Sequence, residues 1–281
     1  MNYFDLHCDT LTRCVKKYQS LEENECCIDV KRLSEFENAT QVFAAFIQDG
    51  LPPEQALAEF NSQYSIYKFT DFKSVNHILS VENADLLDGN IYRLQYLNEC
   101  SVKILGLTWN GENCIGGGAD TNIGLKPFGK SVVKECEKLG ITIDVSHLSD
   151  KSFYDVIRIA TKPVIATHSN SRAICNHKRN LDDNSLIEIF KMGGLVGINL
   201  CNDFVGEEDF PGNILRHIER MILLGGENSI ALGTDFDGCT TVEGIKSISD
   251  MTNFYQIIAK NLGKTLTNKI FYENAKNFFD K

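Results

Sequence analysis

The chain has 281 residues, 43% of them hydrophobic, enough to bury a sizeable core in one large domain or two small ones. Its 28 basic and 38 acidic residues leave a formal net charge of −10, which argues against nucleic acid and anionic membrane surfaces as partners. No apolar run approaches the ~20 residues of a membrane-spanning helix, and Met1–His7 lacks the basic-then-apolar order of a secretory leader.

Taken in chain order, eight short apolar runs read as strands: Tyr3–His7, Gln41–Gln48, His77–Val81, Val102–Thr108, Ile141–Ser146, Pro163–Thr167, Leu195–Leu200 and Ile230–Gly233. Helical spacing fills the stretches Glu54–Phe69, Val132–Leu139, Ser152–Ala160, Leu186–Lys191 and Ile214–Leu224 between them. Strands alternating with helices predict a parallel sheet covered by helices. Eight such units in a chain of this length predict an α/β fold, a (β/α)8 TIM barrel. An open doubly wound sheet has no support, because no G-x-G-x-x-G follows strand one. No Gly/Ser-rich or Pro-rich linker interrupts the chain, so residues 1–281 are expected to form one domain. The ten cysteines are scattered and include no C-x-x-C pair, so reduced thiols in a cytoplasmic protein are expected.

A barrel enzyme carries its active site at the C-terminal ends of the strands. Strand one ends in His7-Cys8-Asp9, strand three in Glu82, strand five in His147, strand six in His168 and strand eight in Asp235. Along an extended strand His7 and Asp9 share a side, with Cys8 turned into the barrel wall. One metal can therefore take an imidazole and a carboxylate from strand one, while His147 and His168 offer two nitrogens to a second. Glu82 can bridge the two through its two oxygens, and Asp235 can contact one metal and shuttle a proton. This donor mixture suits zinc or a similar transition metal, which would activate a shared water. Each residue also has a structural reading. Asp9 can cap a turn, Glu82-Asn83-Ala84-Asp85 can open a helix, and Asp237-Gly238 is turn chemistry. The convergence on five strand ends favours the metal reading. His77, His177 and His217 fall outside that pattern.

These residues lie in stretches that resemble the membrane (renal) dipeptidase family of zinc dipeptidases, within the amidohydrolase superfamily. The stretches are Asp5-Leu6-His7-Cys8-Asp9, Ser80-Val81-Glu82, Leu107-Thr108, Asp144-Val145-Ser146-His147, Thr167-His168-Ser169, Lys178-Arg179-Asn180 and Gly233-Thr234-Asp235-Phe236-Asp237-Gly238. The resemblance implies a hydrolase with two Zn2+ per chain, His7 and Asp9 holding one, His147 and His168 the other, and Glu82 between them. It implies that a metal-bridging hydroxide attacks the peptide carbonyl and that Asp235 is the proton shuttle. Arg179 would hold the substrate's terminal carboxylate, for which a bidentate guanidinium is apt. Dipeptide substrates, L-D dipeptides among them, and a homodimer are implied in the same way.

One departure stands out. Where family members often carry a carbonyl-polarising histidine after the Leu-Thr of strand four, this chain has Trp109 and then Asn110. The indole N–H and the amide can each donate to an oxyanion. The following glycine-rich loop, Trp109–Asn122, is expected to be mobile and to set substrate preference. The departure leaves room for N-acyl amino acids, lactones or other amides as substrates. A non-catalytic metal-bound binder on the same barrel is the remaining alternative.

Overall fold

The computed structural model describes residues 1–206 and 210–280. Eight parallel strands close in sequence order: β1 (Asn2–Cys8), β2 (Asn38–Phe46), β3 (Asn76–Glu82), β4 (Val102–Gly106), β5 (Thr142–Asp144), β6 (Ile165–Ala166), β7 (Leu195–Ile198) and β8 (Ile230–Leu232). This is the (β/α)8 barrel that the alternating pattern predicts, with all eight runs present. Among the described residues no helix is long and apolar enough to cross a membrane.

The apolar residues divide into two layers. Phe4, Leu6, Val42, Ile104, Ile165, Leu195 and Ala231 fill the barrel interior, and Tyr272, Phe278 and Phe279 of the C-terminal segment pack against its lower end. A larger outer core joins the other strand faces to the helices. The interior is thus dry below and polar above, which confines chemistry to the C-terminal mouth.

Strand β1 departs from simple alternation where it matters. Phe4 and Leu6 face the interior, yet Cys8 belongs to the outer core. The β1–β2 register shifts between Asp5 and Cys8, and that irregularity turns His7 inward behind Leu6. Cys8 is fully buried, with its Sγ 3.6 Å from the Val42 carbonyl, in the wall as expected.

Strands β5 and β6 are shorter than Ile141–Ser146 and Pro163–Thr167. The buried Asp144 Oδ1 accepts from the backbone N–H of Ser146 (2.9 Å) and of Thr167 (3.0 Å), so a side chain takes donors the ladder would otherwise use. Among the described residues, three helices of eight or more residues carried no expectation. Thr10–Lys17 follows β1 directly, with Leu11 and Cys14 buried on one face. Tyr92–Glu99 precedes β4, and Met251–Leu262 opens the C-terminal segment.

The loop 109–122 has a different character from the mobile strap its glycines suggest. Gly118 N–H donates to the Gly111 carbonyl and Asp120 N–H to the Asn110 carbonyl, each at 2.8 Å. A side chain at Gly117 would collide with Thr121 and Ile123, and one at Gly118 with the Trp109 carbonyl. The glycines here permit close packing, and the packed turn fixes Trp109 and Asn110 at the mouth.

Candidate metal centre

Six sequence-predicted donors meet at the mouth: His7, Asp9, Glu82, His147, His168 and Asp235, each between 1% and 7% exposed. The His7 Nε2 lies 3.3 Å from Asp9 Oδ2 and 3.3 Å from Glu82 Oε2. On the other side, Glu82 Oε1 is 2.9 Å from His147 Nε2 and 3.9 Å from His168 Nε2. Those two imidazole nitrogens are themselves 2.9 Å apart. Asp235 joins His7 and Asp9 in one group whose donor atoms all lie within 4.8 Å of one another. Glu82 therefore turns one oxygen toward each of two donor sets.

The local backbone supports this convergence. Asn83, His147 and Asp235 adopt left-handed φ angles of 72°, 67° and 61°. Such conformations cost ~1–3 kcal/mol each outside glycine and persist where the surroundings enforce them. The structural readings of these residues fall away in part. Asp9 does precede the helix Thr10–Lys17, but its side chain makes no capping bond. Asn83, and not Glu82, caps the next turn through Asp85 N–H.

Each paired imidazole has its far nitrogen engaged. Thr167 Oγ1 donates to Asp144 Oδ2 at 2.5 Å and so is left to accept from His168 Nδ1 at 2.8 Å. His147 Nδ1 lies 2.8 Å from Asn110 Oδ1. Hydrogens at Nδ1 leave both Nε2 lone pairs aimed at the centre, the tautomer a metal ligand needs. Through its Oδ1, Asn110 thus orients His147. Asn199 Nδ2 donates to Asp235 Oδ2 at 3.0 Å. The sequence reading missed Asn199, Asp144 and Thr167. Asn199 carried the same signal as the others, a polar residue closing an apolar strand.

Electrostatics show what the bare cluster lacks. Burial, with Asp9 adding to it, pushes Glu82 up to about 7 against the pull of His7. Burial raises Asp235 to about 6, His7 opposing and Asp9 reinforcing. For His7 burial acts downward, yet Glu82 and Asp9 outweigh it and hold the imidazole well above its usual range. Burial drives His147 and His168 well below theirs, with Arg179 and His7 contributing. Three carboxylates in one dry site repel one another, and cations resolve that repulsion. The His7 Nε2 is buried without a hydrogen-bond partner. The donor separations of 2.9–3.9 Å bracket the ~3.3 Å edge of a tetrahedron with zinc-length bonds. A side chain at Gly238 would fall against Asp9 Oδ2 and Asp235 Oδ1, so glycine keeps that donor set open. The residues present fit a pair of metal ions.

Beside the donors a cleft of about 390 Å³ opens to solvent, lined by Phe46, Trp109, Phe204 and the rim residues Arg13 and Lys16. The Trp109 ring stands edge-on to Phe46 at 5.3 Å and 6.3 Å from His147. Arg179 is 4% exposed, and among the described residues its side chain makes one hydrogen bond, from Nη2 to the His168 carbonyl at 3.4 Å. Its Nε is buried without a partner, and no carboxylate among the described residues forms an ion pair with it. The guanidinium lies 5.5 Å from the Phe204 ring. Its loop is pinned by Arg172, which clamps Asp150 through both Nη atoms at 2.9 and 2.8 Å. A fixed, buried and underused guanidinium is the feature of an anion site.

Comparison with known proteins follows the same line. Residues 65–280 match the family model of membrane dipeptidases, peptidase family M19. The chain is 32% identical over 228 residues, 76% of its own length and 84% of the relative's, to the "uncharacterized protein in pqqA 5′ region" of Klebsiella pneumoniae. Among solved structures it resembles a metallo peptidase of family M19, the dipeptidase AC, with a TM-score of 0.91, 25% identity and coverage of 100% and 98% of the two chains. A metallo peptidase from Rhodobacter sphaeroides, liganded with a phosphinate mimic of L-Ala-D-Ala, superimposes with a TM-score of 0.88, 24% identity and 100% and 99% coverage.

Proposed function

Because this chain belongs to the membrane dipeptidase family, peptidase family M19, we propose that it hydrolyses dipeptides at a pair of zinc ions held at the barrel mouth. The observation that carries the two-ion reading is Glu82, whose Oε2 faces His7 and whose Oε1 faces His147. His7, Asp9 and Asp235 would hold one ion, His147 and His168 the other, with Glu82 shared. Bound there, the ions would supply Lewis acidity and activate water for attack on the peptide carbonyl.

The chain's own residues do the rest. Arg179 meets the substrate's terminal carboxylate with the N–H groups it leaves unused within the protein. That contact selects a short peptide, because the carboxylate must lie within one residue of the scissile bond. Asp235, beside the attacking water, would accept a proton at its carboxylate and pass it to the leaving amine. Asn199 donates to its Oδ2 and so fixes the orientation of the carboxylate. Phe46, Trp109 and Phe204 border the bound peptide and limit its access to water. Trp109 fills the position of the family's polarising histidine, and its indole N–H is the donor available there. An L-D substrate is supported by the L-Ala-D-Ala mimic bound in the Rhodobacter sphaeroides relative. Ten cysteines with no disulfide among the described residues support a reducing compartment, the cytoplasm.

The test is a panel of L-L and L-D dipeptides, with N-acyl amino acids alongside, assayed before and after chelation and after zinc return. Chelator-sensitive dipeptide turnover restored by about two equivalents of zinc is expected. Turnover that survives full metal removal overturns the reading.

A further inference from the structure

Outside the two donor sets, two thiols meet where the loops after β7 and β8 come together. The sulfurs of Cys201 and Cys239 and a carboxylate oxygen of Asp235 all lie within 4.8 Å of one another. We propose that these three residues form an additional site for a thiophilic divalent cation on the wall of the cleft.

The scaffold that places the sulfurs is built without a cation. Cys201 N–H donates to Asn199 Oδ1 at 2.6 Å, and Cys201 forms a bridge with Thr241. Asn202 N–H reaches the Thr240 carbonyl at 3.0 Å and Val242 N–H the Leu200 carbonyl at 2.9 Å. Cys239 Sγ rests 3.5 Å from the Asp235 carbonyl oxygen. Cys239 lines the cleft, so a dissolved ion reaches the pair, while Cys201 is 5% exposed.

The donor set decides the class of ligand. Zinc–sulfur bonds of ~2.3 Å place two thiolates of a tetrahedral site ~3.8 Å apart, inside the observed limit. Two sulfurs and one oxygen favour zinc or cadmium over magnesium or calcium. Each thiol releases its proton to solvent as its sulfur–metal bond forms, and no electron is exchanged. Among the described residues no other cysteine belongs to a group of three donors. Asp235 also belongs to the group with His7 and Asp9. A cation held by the thiols therefore competes for that carboxylate, and excess metal inhibits.

The zinc-loaded chain, kept reduced with all ten thiols verified by titration, is titrated with Cd2+ and read by the ultraviolet sulfur-to-cadmium charge-transfer band and by bound metal after dialysis. Wild type is expected to take one equivalent more than the Cys201→Ser/Cys239→Ser double variant and to show a band the double variant lacks. Cys239→Ser and Cys201→Ala are each expected to lose the band. Equal bands in wild type and double variant, or no extra equivalent in wild type, overturn the proposal. Inhibition by excess zinc, expected in wild type and relieved in the double variant, is read separately. The band and the metal count involve no substrate, so they stand or fall independently of dipeptidase activity.

Discussion

Replacing Arg179 by methionine tests the anion site from two directions at once. If the guanidinium serves the substrate, its removal costs catalysis and relieves the fold. Within the protein it is buried with one long hydrogen bond, to the His168 carbonyl at 3.4 Å, and an Nε that meets nothing. That bond is worth ~1 kcal/mol at most. Keeping a cation away from water costs several kcal/mol, and an apolar replacement of similar volume recovers ~1–4 kcal/mol in comparable cases. Methionine also keeps contact with the Phe204 ring. The metal-loaded variant should therefore melt at least ~2 °C higher. Losing one partner of a buried, charge-assisted pair costs ~2–5 kcal/mol of binding, or roughly 30- to 4,000-fold. The loss should appear mainly in KM, since the carboxylate is held alike in ground and transition states. The assay compares kcat/KM for a dipeptide and for its C-terminal amide. Wild type should prefer the acid strongly, and the variant should not discriminate. An unchanged acid-to-amide ratio, or a variant that loses stability, would refute the reasoning.

Three further outcomes follow from the geometry. Gly238→Ala places a methyl against Asp9 and Asp235, so bound zinc should fall toward one equivalent by elemental analysis while the far-ultraviolet circular dichroism is retained; full occupancy would contradict the placement of that donor set. Thr167→Val removes the hydroxyl between Asp144 and His168, and should weaken metal binding ~10–100-fold by chelator competition. It should also cost ~1–3 kcal/mol in urea unfolding. His217 is held neutral by burial, lowered to about 4, with Ser171 N–H donating to its Nδ1. Its folded value lies below its unfolded one, so its contribution is complete above pH ~6.5 and is lost as pH falls toward 4. Between pH 7.5 and 4.5 wild type should lose roughly 2–3 kcal/mol more than His217→Gln, and parallel urea-unfolding profiles would count against the assignment.

The barrel was legible because each strand is a short apolar run, five of them followed by a donor residue at the mouth. Strand lengths were less so. Asp144 shortens β5 and β6 by bonding to Ser146 and Thr167 across a strand boundary, a pairing no local pattern announces. The six donors could be read from their positions at strand ends. Their orienting partners could not, since Thr167 and Asn110 are ordinary residues until a neighbouring strand brings a histidine to them. The helix Thr10–Lys17 went unread because Asp9-Thr10 carries a turn signal, and here the chain passes from strand to helix at Asp9 itself. The glycines of loop 109–122 signalled freedom, where the fold uses them for contact.

The seam between β1 and β8 has a consequence for how the chain is made. The two strands share one paired register position, Asp5 with Leu232. Asp5 strengthens the join by accepting from Thr234 N–H at 2.8 Å and Thr234 Oγ1 at 2.7 Å. During synthesis β1 leaves the ribosome first, yet its partner strand is more than two hundred residues behind. Until that strand arrives, His7 and Asp9 have no Asp235 to complete their set. The first donor set is thus completed by the last strand to be made. A chain interrupted before Thr234 lacks Asp235 and cannot assemble the whole donor set, so a complete set reports that the ring has closed.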